Sequence, residues 1–267
     1  MIVSSLRFTR FVRSSSRPDL SMDRRDAHAS PRIGAALEVV SRLGDEALVF
    51  KPAGLSSERG AGDPGDCLVR RAEQQFGWTK CWLPHRLDRP TRGLLMVAGS
   101  KETAARQSEE IRAGAWTKWY VARILDASAA MGIVGEHRAY LKRVGRLATV
   151  VRSGGDPSRL TIHCVAPALD APHQAHALIR LDTGRFHQIR IMLANLGFPL
   201  VGDVEYGAWP TRSQSTEYPD LDLEAIALRI VRPGETIVHR LAQHPARRGL
   251  APQIDAALDK VLSEAGS

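Results

Sequence analysis

Four strand-like segments follow one another with no helical segment between them: Trp116–Leu125, Leu147–Arg152, Leu160–Ala166 and Ala175–Leu181. Each is rich in β-branched, aromatic or other apolar residues. Successive strands without intervening helices call for hairpins. They exclude a chain of repeating βαβ units and predict an α+β fold. Helical spacing is confined to the flanks. Asp66–Phe76 has apolar residues at Leu68, Val69, Ala72 and Phe76 and stops at Gly77. Ser100 is placed to cap a helix that runs to about Ala113 and ends at Gly114. His187–Leu196 is stopped by Gly197, and Pro252–Glu264 is amphipathic. Shorter strands are predicted at Ala47–Phe50, Gly93–Ala98, Ile226–Val231 and Thr236–Val238. Thr211–Glu224 is polar and acidic and reads as a surface loop.

The 267 residues then divide into a tail, residues 1–36, and a single domain, residues 37–267. Met1–Pro18 holds Arg7, Arg10, Arg13 and Arg17, five serines and no acid. That composition suits an organellar transit peptide, a disordered basic tail or a misassigned start. No apolar run approaches the about 20 residues that a bilayer span requires, so no membrane partner is expected. Three widely spaced cysteines, Cys67, Cys81 and Cys164, make no disulfide framework and suggest a reducing compartment. The cytoplasm is the expected location, with an organelle as the alternative because of the N-terminus. The formal charge of +8 favours a polyanionic partner, nucleic acid first.

Three clusters carry unusual chemistry. His85-Arg86-Leu87-Asp88-Arg89-Pro90-Thr91-Arg92-Gly93 sets one carboxylate among arginines just before a buried strand. Neighbouring cations favour an ionised Asp88; the alternative is a solvated charged loop. In Lys118-Trp119-Tyr120-Val121-Ala122, a strand places Lys118 and Tyr120 on one face, suited to a phosphate and a stacked base. The alternative is a half-buried strand with a polar outer side. Gly184-Arg185-Phe186-His187-Gln188-Ile189-Arg190 begins a helix after a glycine, where an anion can be held. The alternative there is an amphipathic helix with Arg190 in water. Gly60–Gly65 matches GxGxxG, but the nearest strand ends ten residues earlier, so a dinucleotide site is not expected. The histidines lack metal-ligand spacing, and no metal or organic cofactor is expected.

"FKPAG" (Phe50–Gly54), "HRLDRPTRGLLMVA" (His85–Ala98), "KWYVA" (Lys118–Ala122) and "GRFHQIRIMLANLGFPLVGDVEYG" (Gly184–Gly207) occur in that order. Together they resemble the catalytic domain of the RluA-type RNA pseudouridine synthases, over about Leu37–Pro245. The resemblance implies a mixed, largely antiparallel sheet crossed by a central catalytic cleft. It implies an isomerase that turns a uridine of structured RNA, ribosomal or transfer, into pseudouridine without a cofactor. It carries the essential aspartate onto Asp88, the base-stacking tyrosine onto Tyr120 and the arginine that pairs the aspartate onto Arg185. Arg86 would fill the space left by a flipped nucleotide. His85, Lys118, His187 and Arg190 are further RNA-contact candidates, and Lys142, Arg143, Arg146 and Arg152 either track phosphates or line a solvated edge. Phe186 replaces a commonly small residue and Arg92 a common serine, which bears on substrate choice. The tail is too short for an S4-type RNA-binding module, and a monomer is expected. The competing reading is an RNA-binding factor that kept the scaffold without the chemistry.

Overall fold

In β4 (Arg92–Ala98) every residue is buried, because its two faces meet two different cores. Leu95 and Val97 enter one, Leu94 and Met96 the other, as the two-residue period of a strand requires. The same division runs through β5 (Trp116–Leu125). Tyr120, Ala122 and Ile124 join the Leu95 side, while Trp119 and Val121 pack on the opposite face. A computed structural model describes residues 5–8, 34–60, 65–125, 127–207, 221–241, 247 and 249–264. Gly60–Gly65 and the acidic loop 211–224 lie largely outside the described residues, as does most of the tail.

The remaining strands are β1 (Ser5–Phe8), β2 (Glu38–Leu43), β3 (Glu46–Lys51), β6 (Gly135–Val144), β7 (Leu147–Val151), β8 (Asp156–Pro167), β9 (Gln174–Leu181), β10 (Leu223–Arg232) and β11 (Glu235–Arg240). They form one sheet in the order β2-β3-β4-β10-β5-β9-β8-β6-β7, with β11 beside β10 and β1 beside β11. All neighbours are antiparallel except β4–β10 and β1–β11. The mixed, largely antiparallel sheet is therefore present. β1 falls inside the segment that composition assigned to a tail, so the boundary at residue 36 leaves out one strand. Its partner β11 would otherwise carry a row of unpaired backbone groups.

The helices are α1 (Leu68–Phe76), α2 (Lys101–Arg112), α3 (Ala127–Ala130), α4 (Gln188–Asn195) and α5 (Pro252–Glu264). Local chemistry explains their limits. Gly77 closes α1 in the left-handed region at φ 71°. The Ser100 side chain accepts the Thr103 N–H at 3.3 Å and starts α2. Ile254, Leu258 and Leu262 line one stripe of α5 and cover Trp119, Val121 and Leu178. Ile189, Met192 and Leu193 of α4 seal the Tyr120 face. Among the described residues no helix is long and apolar enough to cross a membrane.

The seam that matters most is β4 against β10. They pair over Arg92–Glu224 and Gly93–Ala225 only. Gly93 has φ 119°, and a Cβ there would lie 2.3 Å from the Ala225 carbonyl oxygen. Only glycine lets the two backbones come this close. Gly93→Ala should therefore destabilise the fold by at least about 3 kcal/mol, lowering Tm by about 6–12 °C. Thermal unfolding followed by circular dichroism checks this; an unchanged Tm would show that the seam can relax.

Candidate active site

The site is built from the loop that precedes β4. Lys51, at the end of β3, is fully buried. Its ammonium donates to the carbonyls of Pro52 (3.0 Å), Leu55 (2.8 Å) and Arg89 (3.0 Å), using all three of its N–H groups. Burial pushes Lys51 down to about 7, the Asp88 charge acts against that, and Arg89 adds to it. Arg89 in turn donates from Nε to the Gly54 carbonyl at 2.9 Å, and the Gly54 N–H returns a bond to the Arg89 carbonyl. Ser57 Oγ donates to the Leu87 carbonyl at 2.7 Å. The Thr91 N–H closes a turn onto the Asp88 carbonyl at 3.0 Å. Segment 52–57 thus straps the Asp88 loop in place through backbone carbonyls.

The Asp88 side chain accepts no hydrogen bond and makes no ion pair among the described residues. Burial raises its pKa above the ordinary carboxylate value; His187, Arg190 and Lys51 act the other way, and Glu205 adds to the rise. The expectation that surrounding cations keep the group readily ionised is thus reversed in direction, since desolvation outweighs them. Tyr120 lies on β5 with 4% exposure. Burial, then the Asp88 charge, pushes its hydroxyl well above the usual phenol range. Asp88 and Tyr120 are therefore brought together.

Arg185 is not brought to them. It is exposed, donates from Nε to the Pro157 carbonyl at 3.3 Å, and is not among the largest charge effects on Asp88. The reason lies in how α4 begins. His187 takes φ 53°, the one positive φ outside glycine among the described residues. Gln188 Oε1 accepts the Arg185 N–H at 3.0 Å and the Thr183 hydroxyl at 2.8 Å. The Arg185 side chain is left outside the first helical turn. Arg190, inside that turn, is the arginine whose charge acts on Asp88. Its guanidinium grips Asp203 in a bidentate pair at 2.8 and 2.7 Å and bonds Glu205 at 2.7 Å. Burial pulls Arg190 down, but Asp203, Asp88 and Glu205 hold it above its ordinary value.

The other candidates separate. Arg86 is exposed and pairs with Glu58 at 2.7 Å, on the rim. His85 turns inward instead of towards a ligand: Nε2 accepts the Met96 N–H at 3.2 Å, and the ring meets Trp116 edge-on. Burial, and then Lys118, pushes His85 down to about 3, so it is neutral. An RNA contact for it is not supported, because its ring is used inside the sheet. Lys118 has no counter-ion among the described residues. Burial lowers its pKa, and a Cβ on Gly184 would lie 3.8 Å from its Nζ. His187 stacks on Phe186, bonds the Tyr206 hydroxyl through Nδ1 at 2.9 Å, and is held below its usual pKa by burial. Sequence reasoning missed Lys51, Asp203, Glu205 and Tyr206, although all lie in the quoted FKPAG and VGDVEYG stretches. No group of His, Cys, Asp and Glu able to hold a metal ion occurs among the described residues.

Asp88, half-buried in the loop before β4, and the buried Tyr120, on which its charge acts, mark the candidate site. Residues 46–195 match the family model described as RNA pseudouridylate synthase, and the chain belongs to that family. It is 32% identical over 182 residues to the "Ribosomal large subunit pseudouridine synthase D" of Yersinia pestis, covering 65% of this chain and 54% of that protein. It is 29% identical over 180 residues to the protein of the same name from Escherichia coli (strain K12), covering 65% and 53%. The chain spans about half the length of these relatives. Among solved structures, "Human RNA Pseudouridylate Synthase Domain Containing 1" shares the fold, with TM-score 0.63, 22% identity, and 88% of this chain and 97% of that one covered.

Proposed function

We propose that this chain is an RNA isomerase that converts a uridine of structured RNA to pseudouridine. The reaction breaks the N1–C1′ bond, turns the uracil and joins C5 to C1′; C5 loses a proton and N1 gains one. The observation that carries the reading is the Asp88 carboxylate, without an ion pair among the described residues, whose charge acts on Tyr120 and is acted on by Lys51, His187 and Arg190. A stacked uridine cannot expose both sides of its glycosidic bond, so it must leave the helix at a cost of a few kcal/mol. Arg86, on the rim, can occupy the gap. Asp88 supplies a negative charge and a lone pair next to the sugar. Tyr120 offers a face for the uracil and a hydroxyl for the C5 proton. Lys118, desolvated and without a counter-ion among the described residues, suits a phosphate or a uracil carbonyl. The relatives' names favour ribosomal RNA of the large subunit over transfer RNA.

The test is conversion of unmodified transcripts. Purified protein incubated with ribosomal and transfer RNA made without modified bases should form pseudouridine at a defined uridine of the ribosomal RNA. Binding should weaken with salt by about 0.7 in log K per phosphate contacted, in log salt, for single-stranded segments. Tight RNA binding with no pseudouridine in any transcript would instead identify a binding factor. A flat salt response would remove polynucleotides as the substrate.

A further inference from the structure

The hairpin β6–β7 reaches over the start of α4 and touches the residues that surround Asp88. Along β6, Glu136, Arg138, Tyr140 and Lys142 face solvent, while the alternate positions turn towards the body of the protein, with Leu141 buried. Arg143 follows the inward set. Its guanidinium carbon lies 4.4 Å from the centroid of the Phe186 ring. The Phe186 and His187 rings are stacked at 3.7 Å and 19°. His187 is in turn within reach of the Asp88 charge. Guanidinium, phenyl and imidazole therefore form a continuous stack that runs outward from the catalytic carboxylate.

Two further bonds hold this stack in place. Arg143 Nε donates to the Gly145 carbonyl at 3.0 Å, fixing the guanidinium against its own turn. The Ala148 N–H of β7 donates to the Tyr206 hydroxyl at 2.6 Å, and that hydroxyl also bonds His187. The hairpin is thus tied to the site by its backbone as well as by Arg143. Arg143 is exposed and has no carboxylate partner among the described residues, unlike Arg138, which pairs with Glu136 at 2.6 Å. One face of its planar group rests on Phe186, so a ligand can approach the other.

We propose that Arg143, backed by Phe186 and His187, is a platform on which the base of the nucleotide next to the target uridine stacks. This rests on the RNA reading above and deepens it. Unstacked bases of RNA loops settle on guanidinium planes and aromatic rings. A guanidinium pinned on a ring is a rigid surface, so little freedom is lost when a base lands on it. The platform would make the enzyme sensitive to whether a base is present beside its target. That sensitivity is distinct from phosphate attraction, which any cation at the same place supplies.

The probe is a hairpin RNA whose loop carries one uridine among adenosines, with companions that have an abasic residue on either side of the uridine. Binding is read by fluorescence anisotropy. The wild-type protein should bind the intact loop about tenfold more tightly than one of the abasic loops. Arg143→Lys keeps the charge and the salt dependence but should reduce that ratio to about one. Phe186→Ala, which removes the backing ring, should do the same. RNA binding with no preference at either flank overturns the platform and leaves the RNA reading intact. A preference retained in Arg143→Lys also overturns it, reducing Arg143 to a phosphate contact. Failure of the wild-type protein to bind any of these RNAs overturns both.

Discussion

Asp88→Asn should lower pseudouridine formation by about 10⁴-fold or more while leaving RNA binding in place. It should also raise the melting temperature at neutral pH. Burial lifts the folded-state pKa of Asp88 above its unfolded value. An acid shifted in this direction contributes stability at pH below its unfolded pKa and loses that contribution as pH rises through the folded pKa. As pH rises through that raised pKa the ionised form costs the fold stability, and a neutral amide of the same shape escapes that cost. For the same reason, the acid limb of the wild-type pH–rate profile should lie above the ordinary carboxylate range. Single-turnover conversion assays and calorimetry read both effects. A variant that still converts RNA at the wild-type rate would remove Asp88 from the chemistry. A lower melting temperature would mean that an unseen partner compensates the carboxylate.

Arg190→Met should be the most damaging single change to the folded site. It leaves Asp203, whose side chain is 0% exposed, with its charge uncompensated. Breaking a buried pair from one side costs about 3–5 kcal/mol. Arg190→Lys should recover part of that stability but little of the rate, because a point charge cannot keep both bonds to Asp203 and still face Asp88. Arg185→Ala, on the exposed side, should stay within about 0.5 kcal/mol of the parent and retain conversion. Urea unfolding and the conversion assay, run on all three variants, decide the matter. If Arg185→Ala folds normally and is inactive while Arg190→Lys is active, Arg185 and not Arg190 is the arginine that serves Asp88.

That pair of arginines also shows where the sequence stops being readable. Elements with their own punctuation were found close to their limits: α2 through Ser100, α1 through Gly77, and α5 and β5 at their exact residues. The order of motifs, through the resemblance it carries, points to Asp88 and Tyr120: the first lies in a charged loop just before an apolar strand, the second within one. The resemblance carries the aspartate-pairing role onto Arg185, whereas the arginine charge that acts on Asp88 is that of Arg190. The start of α4 is set by a left-handed histidine, a conformation that side-chain periodicity does not reveal. β6 was missed because Glu136, Arg138 and Lys142 face water, while His137 and Arg143 interrupt the apolar side. Lys51 is not legible as a site residue because lysines are rarely fully buried. Only the carbonyls supplied by Pro52, Leu55 and Arg89 explain its place. His85 is expected among the RNA contacts, whereas the neighbouring Trp116 and the Met96 amide draw it inward.

The position of β10 between β4 and β5 has a consequence for how the protein is made. A ribosome releases the chain from the N-terminus, so β4 and β5 both emerge long before the strand that joins them. Until then each presents a bare hydrogen-bonding margin to whatever else is nearby. The nascent chain therefore depends on β10 to close the centre of the sheet, and truncation before it leaves two sticky half-sheets in place of a smaller fold.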